Sequence, residues 1–165
     1  MLFRSVFLKL DFEKAYDRVS WPFLQEVLLK KGLDPALVQK VMQLVKGGQT
    51  AISINGEVGP YFRNKRGVRQ GDPLSPLLFN FVVEVLDLML NRAKAAGHIQ
   101  GVVPNLIPGG VTHLQYADDT LIMIQNSDQG LANLKFMLIC FELLSGMVSN
   151  KKRIFRRPIR ACRHG

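Results

Sequence analysis

Cysteine is scarce in this chain, and long apolar runs are missing. Its 165 residues contain two cysteines, Cys140 and Cys162, which form neither a CxxC pair nor a disulfide framework. A reducing compartment is therefore the default expectation. No unbroken apolar run reaches the roughly 18 residues that a membrane-spanning helix needs, and Met1–Ser5 lack the ordered segments of a secretory signal. We expect an intracellular protein, nuclear or cytoplasmic, with no membrane partner.

Acidic residues are missing from the last fifteen positions. These positions contain seven cations: Lys151, Lys152, Arg153, Arg156, Arg157, Arg160 and Arg163. The whole chain has 22 Lys and Arg against 13 Asp and Glu, a net charge of +9. Since seven of the cations lie in the last fifteen positions, residues 1–150 have 15 against 13 and carry only +2. The distribution predicts one domain over 1–150 and a basic, disordered tail over 151–165. Such a tail favours polyanion binding without identifying the partner.

Strand and helix patterns succeed one another over residues 5–144. The predicted elements are a strand over 5–12, helices over 20–31 and 34–47, a hairpin over 51–63 that turns at Asn55-Gly56, a helix over 72–96, a hairpin over 111–125 and a helix over 128–144. The long helix has an apolar stripe at helical spacing: Leu74, Leu77, Leu78, Phe81, Val85 and Leu88. This order predicts an α+β fold, in which helices cover one face of an antiparallel sheet.

Three acids lie at the ends of otherwise apolar strands. Asp11 ends the first predicted strand, and Asp118 and Asp119 occupy the turn of the second hairpin. Aspartates are common in turns, and a strand end is often solvated, so each position has an ordinary structural explanation. If the two strands are neighbours, however, carboxylates about 4 Å apart would repel by roughly 4 kcal/mol. Divalent cations between them would offset that repulsion, and carboxylate oxygens are ligands that Mg²⁺ prefers.

Four segments together resemble the palm of a known polymerase family. Residues 8–19 (LKLDFEKAYDRV) and 66–76 (RGVRQGDPLSP) resemble the first two palm motifs of reverse transcriptases from LINE-type, non-long-terminal-repeat retrotransposons. Residues 116–119 (YADD) resemble the catalytic YxDD box, and 145–150 (SGMVSN) the motif after it. The resemblance covers about residues 5–150. It implies a polymerase palm with a small antiparallel sheet backed by helices, partial fingers and no thumb.

The resemblance also implies a metal site and a reaction. Asp11 and Asp118 would ligate two Mg²⁺ ions, for which Mn²⁺ is a substitute, while the Phe12 carbonyl would help one ion and Asp119 would support the site. The implied reaction is attack of a primer 3′-hydroxyl on the α-phosphate of a dNTP. An RNA or DNA template would lie across the palm.

Further positions match substrate-binding residues of the family. Tyr16 falls where a ring stacks under the incoming sugar and would clash with a ribose 2′-hydroxyl. Gln70 and Gly71 match the pair that contacts the nascent base pair and template, and a glycine lets backbone approach a ligand closely. Just before them lies a basic cluster, which is either an ordinary solvated charged loop or a set of contacts to template phosphates: Arg63, Lys65, Arg66 and Arg69.

The chain also departs from the family pattern. Arg153 stands where related sequences have a lysine, and a guanidinium is a poor proton donor. We expect the upstream fingers and the thumb to be missing, so that the fragment is weakly active or inactive alone, because they position the substrates. The alternative is a non-catalytic remnant that binds nucleic acid through its basic tail. Within the enzyme class, the rival is a group II intron maturase.

Overall fold

The computed structural model describes residues 3–107, 109–116, 119–149 and 154–159. Its elements in chain order are β1 (Phe3–Asp11), α1 (Ala15–Arg18), α2 (Trp21–Lys30), α3 (Pro35–Lys46), β2 (Gln49–Thr50), β3 (Ser53–Ile54), β4 (Glu57–Val58), β5 (Phe62–Arg63), α4 (Ser75–Ala95), β6 (His113–Tyr116), β7 (Asp119–Gln125), α5 (Asp128–Ser145) and β8 (Ile154–Ile159). Among the described helices, none combines the length and apolar character that crossing a membrane requires.

A four-stranded antiparallel sheet forms the centre of the fold, with strand order β6-β7-β1-β8. The alternation of β1 predicts one face with Val6, Leu8 and Leu10 and the other with Lys9 and Asp11. The first three side chains are indeed buried, whereas Lys9 and Asp11 are exposed. The side chains of the buried face form one core cluster together with those on the inner sides of α4 and α5. This arrangement confirms an antiparallel sheet that helices cover on one face.

The helix ends follow from local sequence chemistry. The Asp34 side chain accepts hydrogen bonds from the amides of Ala36 and Leu37 and so caps α3. Ser127 caps α5 in the same way, and Gly146 ends that helix in the left-handed conformation. The predicted α4 begins three residues too early, because the Asp72 carboxylate accepts from the Leu74 amide in a turn that precedes the helix.

The predicted apolar stripe of α4 is wrong in part. Leu78 is buried, but Leu77 and Leu88 are 53% and 48% exposed. The face that enters the core is rotated from the stripe and contains Leu78, Phe79, Val82, Val83, Leu86 and Leu90. Because α4 has apolar residues on more than one side, periodicity alone does not show which side the sheet covers.

The first predicted hairpin is two small ladders, one beyond the other. β3 pairs with β4 around the Asn55-Gly56 turn, and β2 pairs with β5. Asn55 and Gly56 have φ values of 53° and 87°, which fit the two-residue turn that favours Asn-Gly. The turn position is therefore as predicted, whereas the pairing is divided between two separate ladders.

Disorder over the whole basic tail is also a wrong prediction. Residues 154–159 form β8, which pairs with β1 from Phe3↔Ile159 to Leu8↔Ile154. On either side of its two arginines, this segment has the residues Ile-Phe and Pro-Ile. It pairs with the edge of β1 that β7 does not occupy, and an unpaired strand edge readily binds another strand. Positive charge therefore misleads as a sign of disorder here. Residues 151–153 and 160–165 lie outside the described part.

The segment that follows β1, residues 12–20, lies between two other parts of the chain. On one side, the Gly67 and Val68 amides donate to the carbonyls of Val19 and Tyr16, both at 2.8 Å. The indole of Trp21 donates back to the Gly67 carbonyl at 2.7 Å. These bonds fix the loop before α4 against the chain that continues from β1.

The other side of residues 12–20 contacts the chain at the end of α5. The Ser20 amide donates to the Ser145 carbonyl at 2.7 Å, and the Glu13 amide donates to the Val148 carbonyl at 3.0 Å. A Cβ on Gly146 would lie 2.8 Å from the Arg18 carbonyl oxygen. Position 146 therefore has no room for a side chain, because the end of α5 lies directly against residues 12–20 there.

Gly67→Ala should destabilise the protein strongly, because Gly67 combines positive φ with close backbone contact. Its φ is +87°, and an added Cβ would lie 2.6 to 2.9 Å from backbone atoms of Asp17. Left-handed strain and overpacking together should lower the free energy of unfolding by about 2–5 kcal/mol. Gly32→Ala is the matched control, since Gly32 has φ +84° but nothing within 4 Å. It should cost only about 1–2 kcal/mol in urea denaturation. Equal losses would contradict the role of close approach.

Candidate active site

Two carboxylates face each other at one end of the sheet. Asp11, the last residue of β1, is the direct register partner of Asp119, the first residue of β7. Both are exposed, and residues paired in this way project from the same face. The register thus brings Asp11 together with the second aspartate of the YADD box. The predicted proximity of Asp11 and Asp118 stays a prediction. Asp118 lies outside the described residues.

Lys9 also belongs to this end of the exposed face. It precedes Asp11 by two positions on β1, so both side chains project to the same side of the sheet. Its Nζ atom lies 3.0 Å from Oδ1 and 3.1 Å from Oδ2 of Asp119. The alternation of β1 already indicates that Lys9 shares a face with Asp11, but the pairing with Asp119 depends on the sheet register.

The donor chemistry of this end suits a hard divalent cation. Asp11 and Asp119 supply exposed carboxylate oxygens, and Mg²⁺ takes one or two carboxylates together with waters and substrate phosphates. Within the part of the chain that the structure describes, no three His, Cys, Asp or Glu residues form a group that could hold a metal. The described pair therefore fits one side of such a site, and the remaining ligands must come from elsewhere.

Phe12 holds the end of β1 in place. Its side chain is 4% exposed, and its ring is tilted against Phe141 of α5 with 5.9 Å between centroids. Its backbone forms an isolated bridge with Ser149, whose amide and hydroxyl both donate to the Glu142 carboxylate. Asp11 is thus followed directly by a residue that is anchored in the core.

Tyr16 lies between α4 and the loop that precedes it. Its ring stacks on Phe79, with 4.4 Å between centroids and 13° between planes, and its carbonyl accepts from the Val68 amide. Phe79 is fully buried, whereas Tyr16 is half-buried. The tyrosine is consequently fixed in orientation, with part of its surface open to solvent.

The loop before α4 presents the remaining predicted residues at the surface. Arg69, Gln70 and Gly71 are exposed, and Gly71 has φ +86° with nothing within 4 Å of an added Cβ. Arg69 donates from its guanidinium to the Gln49 carbonyl at 3.2 Å. The approach of Gly71 to a ligand stays a prediction. The glycine that another backbone segment approaches closely is Gly67, beside Asp17, and only the fold reveals that contact.

These features agree with the comparison to known families. A profile of the family described as "Reverse transcriptase (RNA-dependent DNA polymerase)" matches residues 4–160. The chain belongs to the reverse transcriptase family. The match confirms the resemblance to this family, and it extends past residue 150 to include β8. The prediction that family resemblance ends at residue 150 is therefore wrong.

Relatives of this reverse transcriptase domain occur in retrotransposons. It is 27% identical over 88% of its length to a Pol polyprotein from the type-1 retrotransposable element R2 of Popillia japonica. It is 32% identical over 93% of its length to the Pol polyprotein of the type-2 element R2DM of Drosophila melanogaster. The chain spans only 23% and 14% of these two proteins.

Solved structures show the same fold. Telomerase from Candida tropicalis, in complex with a TWJ fragment of telomeric RNA, matches 98% of this chain with a TM-score of 0.69 and 14% identity. An apo form truncated from its C-terminal domain matches 99% of the chain with a TM-score of 0.67. The described sheet and helices are thus a partial polymerase palm, as the resemblance implies.

Asp11→Asn should stabilise the metal-free domain. Like charges directly opposite each other on neighbouring strands are destabilising, and this change removes one of them. In EDTA at low salt, we expect the free energy of unfolding to rise by about 0.2–1 kcal/mol. Glu57→Gln is the control, because exposed Glu57 pairs across its hairpin with Ile54. A loss of stability in Asp11→Asn relative to this control would show that the two aspartates do not repel.

Proposed function

We propose that this chain is the palm of an RNA-directed DNA polymerase that transfers a nucleotide from a dNTP to a primer 3′-hydroxyl. The observation that supports it most is the register pair Asp11↔Asp119 on an exposed sheet end, in a chain of the reverse transcriptase family. Acids placed opposite each other cost stability, so their position favours a chemical role over a structural one.

Asp11 and Asp118 would hold two Mg²⁺ ions, with the Phe12 carbonyl as a further ligand of one ion and Asp119 in support. Bound ions of this kind promote attack by a hydroxyl and stabilise a leaving pyrophosphate. Mn²⁺ would serve as a substitute, since it prefers the same oxygen ligands. The chain itself contributes rigidity, because the anchored Phe12 follows directly after β1.

Tyr16 would contact the sugar of the incoming nucleotide and disfavour ribonucleotides. The support is its fixed ring, which Phe79 holds from one side. A ring that cannot swing aside discriminates better against an added 2′-hydroxyl than a mobile one. Gln70 and Gly71 would contact the nascent base pair, and Arg69 the substrate phosphates, from the exposed loop before α4.

The nucleic-acid partner would be an RNA or DNA template with its primer. One structural neighbour is a telomerase in complex with a telomeric RNA fragment, and it shares the fold. In this chain, the support is a series of exposed cations that runs from the end of β5 into the loop before α4: Arg63, Lys65, Arg66 and Arg69. Cations in such a series attract the phosphate backbone without reading sequence.

Primer extension tests this proposal directly. Wild type should extend a DNA primer weakly on an RNA template with dNTPs and Mg²⁺, in line with the weak activity expected of this chain alone, and Asp118→Asn should reduce that extension by at least about a hundredfold, because a metal ligand is removed. In the same assay, Tyr16→Ala should raise ribonucleotide incorporation and Tyr16→Phe should not. Equal extension by wild type and Asp118→Asn would contradict the metal site. Extension by neither, with template still bound, would favour the alternative below.

The alternative is nucleic-acid binding without catalysis, and the net charge of +9 favours it. The exposed loop cations and the tail arginines are both candidates for the phosphate contacts. Deleting 151–165 is a poor test, because the deletion would also remove β8 from the sheet. Substituting Arg156 and Arg157 with Gln keeps the strand length and removes the charge.

Salt dependence separates the two basic regions. Replacing Lys65 and Arg66 with Gln should reduce the slope of log affinity against log salt by about 1.4–1.8, since each phosphate contact contributes about 0.7–0.9. Lys40 and Lys135, exposed on α3 and α5, provide a charge-matched control pair that should leave the slope unchanged. If only the Arg156 and Arg157 substitutions lower the slope, binding resides in the tail.

A further inference from the structure

The ion pair of Lys9 with Asp119 is the basis of this inference, and it lies within the carboxylate pair itself. Asp119 faces Asp11 directly. Lys9, two residues before Asp11 on β1, is the diagonal neighbour of Asp119. Diagonal neighbours on a sheet face are within reach of long side chains. Both Asp119 oxygens lie within 3.1 Å of the ammonium nitrogen, so one cation engages the whole carboxylate.

The two aspartates consequently differ in their surroundings. Within the described residues, Asp11 has no side-chain hydrogen bond or ion pair, whereas Asp119 has the Lys9 ammonium. The side chains of Lys9 and Asp119 are 47% and 54% exposed, so this contact is open to exchange with ions from solution. An ammonium is a compact charge on a flexible stem, which allows it to move when a competing cation arrives.

We propose that Lys9 is a positioning residue of the carboxylate site, one that holds Asp119 and leaves Asp11 as the aspartate of the pair that is open to a divalent cation. The inference rests on the proposed function. Lys9 balances one negative charge of the facing pair. A divalent cation that uses Asp119 must compete with Lys9, which weakens cation binding at this end of the sheet.

Removing the Lys9 charge should therefore strengthen cation binding. The test measures the affinity of the full chain for Mn²⁺ alone by electron paramagnetic resonance of free Mn²⁺, without nucleotide or nucleic acid. Lys9→Met should bind Mn²⁺ about three- to fivefold more tightly than wild type, because the exposed ion pair that competes with the metal ion for the Asp119 carboxylate is lost. Lys9→Arg keeps the charge and should stay within about twofold of wild type.

Lys14→Met is the matched control. Lys14 is an exposed lysine five positions further along, at the start of α1, with no ion pair among the described residues. If Lys9 acts through its contact and not through net charge, Lys14→Met should tighten Mn²⁺ binding clearly less than Lys9→Met. Equal tightening in both variants would overturn the inference.

The Asp119→Asn background shows whether Lys9 acts through Asp119. There, Lys9→Met should change Mn²⁺ affinity by less than about twofold, since residues that act through each other are non-additive. Full tightening in that background, or weaker Mn²⁺ binding by Lys9→Met in the native background, would overturn the inference. Failure of the proposed function looks different: Asp11→Asn would then leave Mn²⁺ affinity unchanged, whatever the Lys9 variants show.

Discussion

The segment from residue 12 to residue 20 is the constraint on which the site depends. Backbone bonds attach it to Gly67 and Val68 on one side and to Ser145 and Val148 on the other. Asp11 lies immediately before this segment and Tyr16 lies within it. Three parts of the chain that are distant in sequence therefore have fixed relative positions, and the glycine at each contact excludes a side chain that would separate them.

Electrostatics imposes a second requirement on the same region. Antiparallel register places Asp11 opposite Asp119, an arrangement that a purely structural sheet has no reason to keep. The cost is limited because both acids are solvated and because Lys9 contacts one of them. Placing the two acids at the end of the sheet, beyond the apolar interior of β1 and β7, separates these charges from the core that supports them.

Local sequence predicted most of the helices and the sides of β1, because caps and alternation are local properties. The Asp34 cap and the burial of Leu8 and Leu10 are examples. Features that depend on distant partners were missed. Which side of α4 is covered depends on the elements that pack against it. The pairing of β8 depends on a free edge of β1, and the close contact at Gly67 depends on the position of Asp17. For the site, motif resemblance identified the aspartates, whereas the Lys9 contact requires the register.

The pairing of β1 has a consequence for how the domain folds. The strand that ends in Asp11 is made well before its neighbours, which are β7, from residue 119 onward, and β8, from residue 154 onward. Contacts this distant along the chain are slow to form, because loop closure precedes any gain from pairing. During synthesis, both edges of β1 are therefore unpaired until β7 has been made, and Asp11 and Asp119 cannot face each other before that point.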